Sequence, residues 1–293
     1  MAKSFKANEM DTDLIDLALR EDLSWPFRDL TAAALLRGGP NDEKPRTGTF
    51  YSKNKTPIIV CGQDLIQEIL RQITFTFHYE SKHADGTRVN SGDAIGCLTD
   101  TAFTLVMVER VILNFMRHLS GIATLTSHFV EKIKHTKCKV LDTRKTTPGL
   151  RRMAKYAVEC GGGVNHRMGL FDAILIKNNH VDYLGGMEAA LTKFLERAPE
   201  QVPVIVEVRN EKEIDCVLAM GKGRVNRLLL DNMPPAELKT ALKKIGGVFE
   251  TEASGNITLE TIQPIAETGV DFVSIGMITH SAPCVDISMR MEI

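Results

Sequence analysis

The sequence predicts an α/β protein whose second half forms a barrel of about six parallel strands. From residue 139 onwards, short apolar runs end in polar or charged residues, and helix-like segments lie between them. The residues with chemical potential follow the apolar runs, where strands would end. This placement favours a closed α/β barrel over an open doubly wound sheet, because barrel sites assemble from the carboxyl ends of strands. No GxGxxG fingerprint follows the first run, so a dinucleotide-binding fold is less expected.

The N-terminal part of the chain predicts a mixed layer of helices and strands. Apolar residues at helical spacing indicate a helix over 11–21, with Asp11 or Thr12 as its N-cap. Residues 48–61 and 75–89 have the composition of strands, and a glycine-containing turn leads into a further strand. We find no motif with chemistry of its own in this part.

A long helix is predicted over 101–134, because apolar side chains recur three and four residues apart along it. At about 100° per residue, Arg110, Asn114 and Arg117 fall together on the face opposite this apolar stripe. These three side chains are either ordinary solvated residues or contacts to a neighbouring subunit or a shared cleft. The stripe consists of Leu105, Val108, Ile112, Phe115 and Leu119.

The second half of the chain predicts a series of βα units. The predicted strands are 140–141, 173–176, 204–206, 228–230, 247–251 and 272–275. The predicted helices between the later strands are 188–197, 211–220, 236–244 and 259–268.

Composition and charge limit the classes of partner. The 293 residues carry a formal net charge of -1, with 43% hydrophobic and 25% charged residues, which is ordinary for a globular protein. Neither nucleic acid nor a membrane is therefore expected as a partner. No signal-peptide stretch or membrane-length apolar run is present, and the six cysteines show no CxxC pair or zinc spacing. We expect a cytoplasmic protein with reduced, mostly buried thiols.

Positive charge is concentrated between residues 142 and 180, a stretch that contains seven Lys or Arg residues and only three Asp or Glu residues. Most such residues in proteins are simply solvated. Arg144, Lys145 and Lys177, however, closely follow apolar runs, and cations at the ends of buried strands normally pair or bind something. The glycines at 161–163 have free amides that suit a close approach to a ligand, although a plain loop explains them equally well.

The ends of the predicted strands bring cations, carboxylates and glycine loops to one place. Several guanidinium groups indicate a substrate with more than one anionic group, because each binds a carboxylate bidentately. Glycine loops after the last strands suit a phosphate. The carboxylates suit ribose hydroxyls, a divalent metal or a developing positive charge. The cations are Arg144, Lys145, Arg167 and Lys177, the carboxylates are Glu207 and Asp231, and the loops contain Ser254, Gly255, Asn256 and Gly276.

Several strings of residues stand out by their order along the chain. The two most specific are DTRKTTPGLR at 142–151 and NHRMGL at 165–170, and they are accompanied by LSGIAT at 119–124, KNNH at 177–180 and EASGN at 252–256. Together they resemble the motifs of the quinolinate phosphoribosyltransferase family, also called nicotinate-nucleotide pyrophosphorylase (carboxylating). The resemblance covers nearly the whole chain. It departs from the family pattern near Trp25, where this chain has a short insertion.

The resemblance implies an α/β fold with two domains. An N-terminal α/β domain of the open-sandwich type would span 1–118 and be joined by the C-terminal tail 283–293. An incomplete α/β barrel over 119–282 would be the catalytic domain. The resemblance also implies a homodimer, alone or within a higher oligomer, in which Arg110 enters the active site of the partner subunit.

The implied reaction is that of a type II phosphoribosyltransferase of de novo NAD biosynthesis. It converts quinolinate and phosphoribosyl pyrophosphate (PRPP) to nicotinate mononucleotide, pyrophosphate and CO2 with Mg²⁺. The implied catalytic residues are Lys145, Lys177, Glu207 and Asp231, of which the two acids also hold the metal directly or through ribose or water. The residues implied to bind quinolinate are Arg110, Thr143, Arg144, His166, Arg167 and Lys177. Those implied to bind PRPP are Lys145, Glu207, Asp231, Ser254, Gly255, Asn256, Ile275, Gly276, Met277 and His280.

Two other functions stay open at the level of the sequence. Lys177 at a strand end is also the arrangement of a Schiff-base lyase, although the crowd of cations around it favours an anion clamp. The non-enzymatic alternative is a paralogue that binds a phosphosugar or a dicarboxylate without turnover. Loss of a strand-end lysine or carboxylate would favour that alternative, and here all of them are present.

Overall fold

The structure, a computed structural model, describes residues 4–39, 42–199 and 201–292. The chain folds into two compact units, each built from more than one stretch of sequence. The first unit comprises Met1–Ser127, Thr147–Gly162 and Ser281–Ile293, and the second comprises His128–Thr146 and Gly163–His280. The domain boundaries expected at 118 and 283 stay a prediction, and residues 1–3, 40, 41, 200 and 293 lie outside the described residues.

The elements up to residue 133 alternate between short strands and helices. In chain order they are α1 (Glu9–Leu23), α2 (Leu30–Leu35), β1 (Pro45–Ser52), β2 (Ile58–Ile59), α3 (Gln63–Arg71), β3 (His78–Ser81), β4 (Arg88–Val89), β5 (Ala94–Thr101) and α4 (Ala102–Ile133).

The remaining elements form a regular series of strands and helices. They are β6 (Lys139–Leu141), α5 (Arg151–Cys160), β7 (Ile174–Ile176), α6 (Asn178–Leu184), α7 (Met187–Arg197), β8 (Val204–Val208), α8 (Glu211–Met220), β9 (Arg227–Asp231), α9 (Pro235–Ile245), β10 (Glu250–Ser254), α10 (Ile262–Ala266), β11 (Phe272–Ser274), α11 (Met277–His280) and β12 (Ile287–Met291).

The first unit contains a four-stranded sheet with the strand order β12-β1-β5-β3 and a two-stranded sheet of β2 and β4. All pairings in them are antiparallel. The last strand, β12, pairs with β1 so that Gly48 lies opposite Met291. Strands from the two ends of the described chain therefore lie side by side.

The second unit is built on a six-stranded parallel sheet with the order β6-β11-β10-β9-β8-β7. This arrangement confirms the predicted α/β fold with an incomplete barrel of parallel strands. The closed barrel that strand-end patterning favoured is wrong, because β6 and β7 form the two edges and do not pair with each other among the described residues. Every residue of β8 is buried, as expected for a parallel strand covered on both faces.

The starts of helices α1 and α3 differ from the sequence-based expectation, and the difference lies in how each helix is capped. The N-cap of α1 is Asn8, because its side chain and that of Asp11 each accept a hydrogen bond from the other's backbone N–H, at 3.1 and 3.0 Å. Asp11 therefore lies inside the helix. Helix α3 was not expected, and it begins after Gly62, which has no side chain to cap the helix.

Helix α4 agrees with the expected long helix. The predicted stripe is buried except at Phe115, which is partly exposed. On the opposite face Arg110 and Asn114 are exposed, whereas Arg117 is half-buried and donates a hydrogen bond of 3.0 Å to the carbonyl oxygen of Val285. Gly121 allows this C-terminal segment to approach closely, because a Cβ there would collide with the carbonyl oxygen of Pro283. No helix in the described ranges is long and apolar enough to cross a membrane.

Candidate functional site

A cavity of about 370 Å³ lies at the carboxyl ends of the parallel strands of the second unit. Cations and carboxylates make up most of its wall. Its lining residues are Thr143, Arg144, Lys145, His166, Arg167, Leu175, Lys177, Glu207, Leu229, Asp231, Glu252, Ser254 and Ser274. The site residues predicted from the loops after β6, β7, β8, β9 and β10 are thus brought together by the sheet.

The other predicted site residues lie outside this lining. Gly255, Asn256, Ile275, Gly276, Met277 and His280 follow β10 and β11 in the same unit. Ile275 is buried, and its N–H donates to the carbonyl oxygen of Leu141 at 3.0 Å, so its side chain and amide are both used by the fold. Arg110 belongs to the first unit, where it is exposed.

A larger cavity, of about 990 Å³, opens at the amino-terminal ends of the same strands. No predicted site residue lines it within the described ranges. Its wall includes Lys137 and Asp271, which already form an ion pair at 3.1 Å. Because sites in parallel sheets form at the carboxyl ends of strands, we place the functional site in the smaller cavity.

The cations of the cavity are held close together despite their like charge. Burial, together with the charge of Arg144, lowers the pKa of Arg167 below its ordinary value. The guanidinium of Arg167 is fixed by a hydrogen bond of 2.8 Å from Nη1 to the carbonyl oxygen of Ala173. A ligand with several negative charges would relieve this repulsion, so the cluster is suited to a polyanion.

Two carboxylates face the same cavity from neighbouring strands. Glu207 lies in β8 and Asp231 ends β9. Burial raises the pKa of Glu207, and the charge of Asp231 raises it further, against weaker opposing effects of the Asn178 amide and Lys177. Oxygen ligands that repel each other favour a bound cation, and hard carboxylate oxygens are what Mg²⁺ prefers. The pair therefore fits a magnesium ion.

The structure corrects where three of the acidic residues lie. The sequence placed Glu207, Asp231 and Glu252 just after predicted strands, whereas β8, β9 and β10 include them. All three side chains thus project from strands rather than from loops. Their positions are fixed by hydrogen bonding along the sheet.

The loops after β9 and β10 approach each other through unusual backbone conformations. Gly255 has φ +110°, and a Cβ there would collide with Asn232. Asn232 and Asn256 also have positive φ, at 53° and 50°. After β11, a Cβ on Gly276 would lie 3.1 Å from Cδ of Lys145 and 3.2 Å from Nε2 of His280. Glycine is therefore needed at position 255, and at position 276 it leaves room for the Lys145 and His280 side chains.

The sequence reasoning missed Leu175, Leu229, Glu252 and Ser274 as lining residues. A signal for three of them was present in the spacing. Each lies two residues before a predicted site residue in the same strand or at its end, namely Lys177, Asp231 and Ser254. Side chains two apart in a strand point to the same face. Strand alternation could therefore have identified the deeper layer of the wall.

One further cluster of chemically capable groups lies in the first unit. Ligand atoms of Cys61, Asp85 and Cys160 come within 4.8 Å of one another. The Asp85 carboxylate already accepts hydrogen bonds from the amides of Gly62 and Gln63, at 2.9 and 3.3 Å. It thereby caps α3 from a distance in sequence. We interpret the cluster as structural, with both thiols buried as the sequence indicated.

Comparison with known families gives two adjoining matches. Residues 29–120 match the N-terminal domain of quinolinate phosphoribosyl transferase, and residues 122–290 match its C-terminal domain. These two ranges account for nearly all of the chain.

Individual relatives match over similar lengths. A rice (Oryza sativa subsp. japonica) protein named nicotinate-nucleotide pyrophosphorylase (carboxylating), chloroplastic, is 38% identical over 95% of this chain and 77% of its own length. A Nicotiana glauca quinolinate phosphoribosyltransferase (decarboxylating), named mitochondrial, is 41% identical over 96% of this chain and 82% of its own. The solved nicotinate-nucleotide pyrophosphorylase of Francisella tularensis superimposes with a TM-score of 0.89 at 36% identity and 98% coverage of both chains.

Proposed function

Because this chain belongs to the quinolinate phosphoribosyltransferase family, we propose that it joins quinolinate to PRPP and releases nicotinate mononucleotide, pyrophosphate and CO2. This reaction belongs to de novo NAD biosynthesis. The observation that carries the proposal is the cavity in which a cluster of cations faces the carboxylates of Glu207 and Asp231. A dicarboxylate substrate needs positive charge, and a cationic transition state needs negative charge. The wall of this cavity provides both kinds of charge.

The quinolinate carboxylates bind to Arg144, Arg167 and Lys177, with Thr143 and His166 completing that side of the cavity. The two guanidinium groups support this assignment, because their mutual repulsion falls when a dianion lies between them. We propose that Arg110 of a second copy supplies a further cation, which makes the homodimer the smallest complete assembly. Its exposure on α4 leaves it available for that contact.

PRPP binds on the other side of the cavity. Lys145 and His280 lie near the pyrophosphate, and the 5'-phosphate is held by Ser254, Gly255, Asn256, Gly276 and the backbone of Met277, while Ile275 supports this loop through its bond to Leu141. The proximity of Gly276, Lys145 and His280 supports a common anion site there. Glu207 and Asp231 hold the ribose hydroxyls and, directly or through water, Mg²⁺. When bound there, Mg²⁺ would help to neutralise the pyrophosphate.

The chemistry begins with cleavage of the bond between the ribose and the pyrophosphate. The ribose then carries oxocarbenium character, which Glu207 and Asp231 stabilise because their negative charges favour a nearby cation. Lys145 neutralises the departing pyrophosphate. The cationic wall holds quinolinate so that its ring nitrogen attacks the ribose carbon, and the wall contributes mainly by orientation. No covalent enzyme intermediate is needed.

Loss of CO2 follows from the charge that the new bond creates. The ring nitrogen is now positive, so it stabilises the electron pair left on the adjacent carbon when its carboxylate departs as CO2. A proton from water then completes the product. Arg144 and Arg167 keep the second carboxylate in place during this step.

A steady-state assay tests the proposal directly. The purified protein is incubated with PRPP and Mg²⁺ and with either quinolinate or nicotinate, and formation of nicotinate mononucleotide and CO2 is measured. We expect product from quinolinate only. Product from nicotinate only would assign the chain to salvage chemistry, and tight binding without product would favour a non-catalytic binding protein. A cytoplasmic location stays a prediction, because the two plant relatives are named for organelles.

A further inference from the structure

A buried chain of polar groups runs through the second unit beneath the cavity. Arg227 Nη1 lies 3.1 Å from Oε2 of Glu252, and Oε1 of Glu252 lies 3.5 Å from Nε2 of His166. On the other side of the ring, Nδ1 of His166 accepts a hydrogen bond of 2.7 Å from the N–H of Arg167. The chain thus connects the amino-terminal end of β9 to a cation of the candidate site.

Glu252 is completely buried, and its carboxylate forms an ion pair with Arg227 at 3.1 Å. Burial alone would raise the pKa of its carboxyl group. The contacts with His166 and Ser274 and the charge of Arg227 outweigh this effect, so the pKa of Glu252 lies below its ordinary value. A carboxylate paired with a guanidinium accepts hydrogen bonds, so we expect the proton of the His166 ring on Nε2, the nitrogen that lies 3.5 Å from Glu252.

The proton on Nε2 determines the chemistry of Nδ1. A neutral imidazole with its proton on Nε2 has Nδ1 as an acceptor, and an acceptor is what the amide of Arg167 requires. A protonated Nδ1 would place two donors 2.7 Å apart. Both ring nitrogens of His166 therefore face groups of the protein: Nδ1 accepts from the Arg167 N–H at 2.7 Å, and Nε2 lies 3.5 Å from Glu252.

We infer that Glu252 is a positioning residue for quinolinate recognition, which acts by holding the His166 ring in the form that braces Arg167. The inference rests on the proposed function. Arg167 needs such a brace because it is partly buried beside another guanidinium and would otherwise move away from it. The bonds at Nδ1 of His166 and at the carbonyl oxygen of Ala173 fix its two ends. In this arrangement His166 contributes to substrate binding through Arg167.

Kinetics of Glu252→Gln test the first half of the inference. An amide can face Nε2 with either its oxygen or its NH2 group, so the ring is no longer held in one form. We expect KM for quinolinate to rise about tenfold because the orientation of the ring is lost, while KM for PRPP changes less than about twofold. Glu250→Gln is the matched control, because Glu250 also pairs with Arg227 from β10 but is exposed and lies away from His166. That variant should keep both KM values.

Two substitutions of His166 separate its contact with Glu252 from its hydrogen bond to the Arg167 N–H. In His166→Asn the side-chain oxygen can still accept from the next amide, as Asn178 accepts from Asn179 at 2.7 Å in this chain. In His166→Gln the longer amide reaches Glu252 but leaves the Arg167 N–H without its acceptor. We expect KM for quinolinate to be at least about fivefold higher in the Gln variant than in the Asn variant.

The outcomes separate this inference from the proposed function. If the wild-type protein makes no product from quinolinate, the proposed function fails. If it does and Glu252→Gln keeps its quinolinate KM, or His166→Gln outperforms His166→Asn, the inference fails. Should the Glu252 variant not fold, ¹⁵N NMR of the histidine-labelled wild type decides the question. A protonated Nε2 with a bare Nδ1 at His166 is expected, and a protonated Nδ1 overturns the inference.

Discussion

The hydroxyl of Thr279 donates a hydrogen bond of 2.8 Å to the backbone carbonyl of Lys145. Thr279 lies in α11, directly after β11, whereas Lys145 follows β6, the neighbouring strand of the sheet. The same hydroxyl lies 3.1 Å from the carbonyl oxygen of Gly276. This buried threonine therefore ties together the two loops that we assign to the phosphates of PRPP.

Thr279→Val should weaken PRPP use while leaving quinolinate use nearly intact. Valine has the same shape as threonine but no hydroxyl, so the Lys145 loop loses its tie. We expect KM for PRPP to rise about fivefold to tenfold, the value of one buried hydrogen bond. Thr279→Ser, which keeps the hydroxyl, should behave like the wild type in the same assay. An equal rise in KM for both substrates would argue against this assignment of the loops.

Arg144→Ala should weaken the use of quinolinate and leave the use of PRPP nearly intact, the reverse of Thr279→Val. We expect KM for quinolinate to rise by about tenfold or more, because a charge-assisted contact to a carboxylate is lost, with KM for PRPP within about twofold. Lys145→Ala is the natural counterpart and should mainly affect PRPP. Initial rates over a grid of both substrates measure the two effects together. If neighbouring Arg144 and Lys145 show the same pattern, the two subsites are not separated as proposed.

Glu207→Gln should stabilise the free protein while lowering its activity. The pKa of Glu207 is raised by burial and by Asp231. Its negative charge therefore destabilises the folded state at pH values above this raised pKa. The destabilisation disappears at pH values below the ordinary pKa of about 4.3, where the carboxyl group is protonated in both states. At neutral pH without metal or substrate, we expect the unfolding midpoint to rise by about 2 °C, which corresponds to roughly 1 kcal/mol or less. At the same time kcat should fall on the order of 100-fold.

The pH dependence is the sharper part of this test. The difference in unfolding midpoint between Glu207→Gln and the wild type should be present at pH 7 to 8 and vanish near pH 4. Glu196→Gln removes the same charge from an exposed position of α7. It should leave the unfolding midpoint unchanged both at pH 7 to 8 and near pH 4. A gain in stability that persists at acid pH would mean that charge at position 207 is not its cause.

Mixed dimers test the contribution of Arg110 across the interface. A variant with Arg110→Ala lacks the cation that it would give to its partner, and a variant with Lys177→Met lacks a cation of its own cavity. In a mixed dimer, one of the two sites regains both residues, so we expect activity to recover to about one quarter of the wild-type value in a random mixture. Verified mixed dimers without any recovery would contradict a shared site.

Gly121→Ala should destabilise the protein although alanine is the better helix former. Helix propensity favours alanine by about 1 kcal/mol. The new Cβ, however, would collide with the carbonyl oxygen of Pro283, and such overpacking costs about 1 to 3 kcal/mol. We therefore expect a lower unfolding midpoint in denaturant. A stabilised variant would show that the C-terminal segment does not press on α4 at this position.

Strand periodicity in the second half was sufficient to predict the α/β class, and it located five of the six parallel strands to within two residues at each end. Local pattern determines these strands because each is a buried apolar run between helices. The beginnings of α1 and α3 were harder to predict. Helix α3 starts at a glycine and is capped by Asp85, which is distant in sequence, so no local cap marks its start.

The candidate site was predictable where its residues follow strands and belong to specific motifs. Arg144, Lys145, Lys177 and Asp231 are of this kind, and the sheet brings them to one cavity. Glu252 was missed as a wall residue because its partners come from other strands. Strand alternation could have placed it in the wall, but only the folded structure shows that it lies between His166 and Arg227.

The pairing of β12 with β1 has a consequence for how the chain is made. The four-stranded sheet of the first unit takes one edge strand from residues 287–291, which the ribosome adds after the whole parallel sheet has been synthesised. During translation, β1 therefore waits with an unpaired edge while the second unit can already form. Because unpaired strand edges invite association, we expect the nascent chain to be most prone to aggregation shortly before its C-terminal segment emerges.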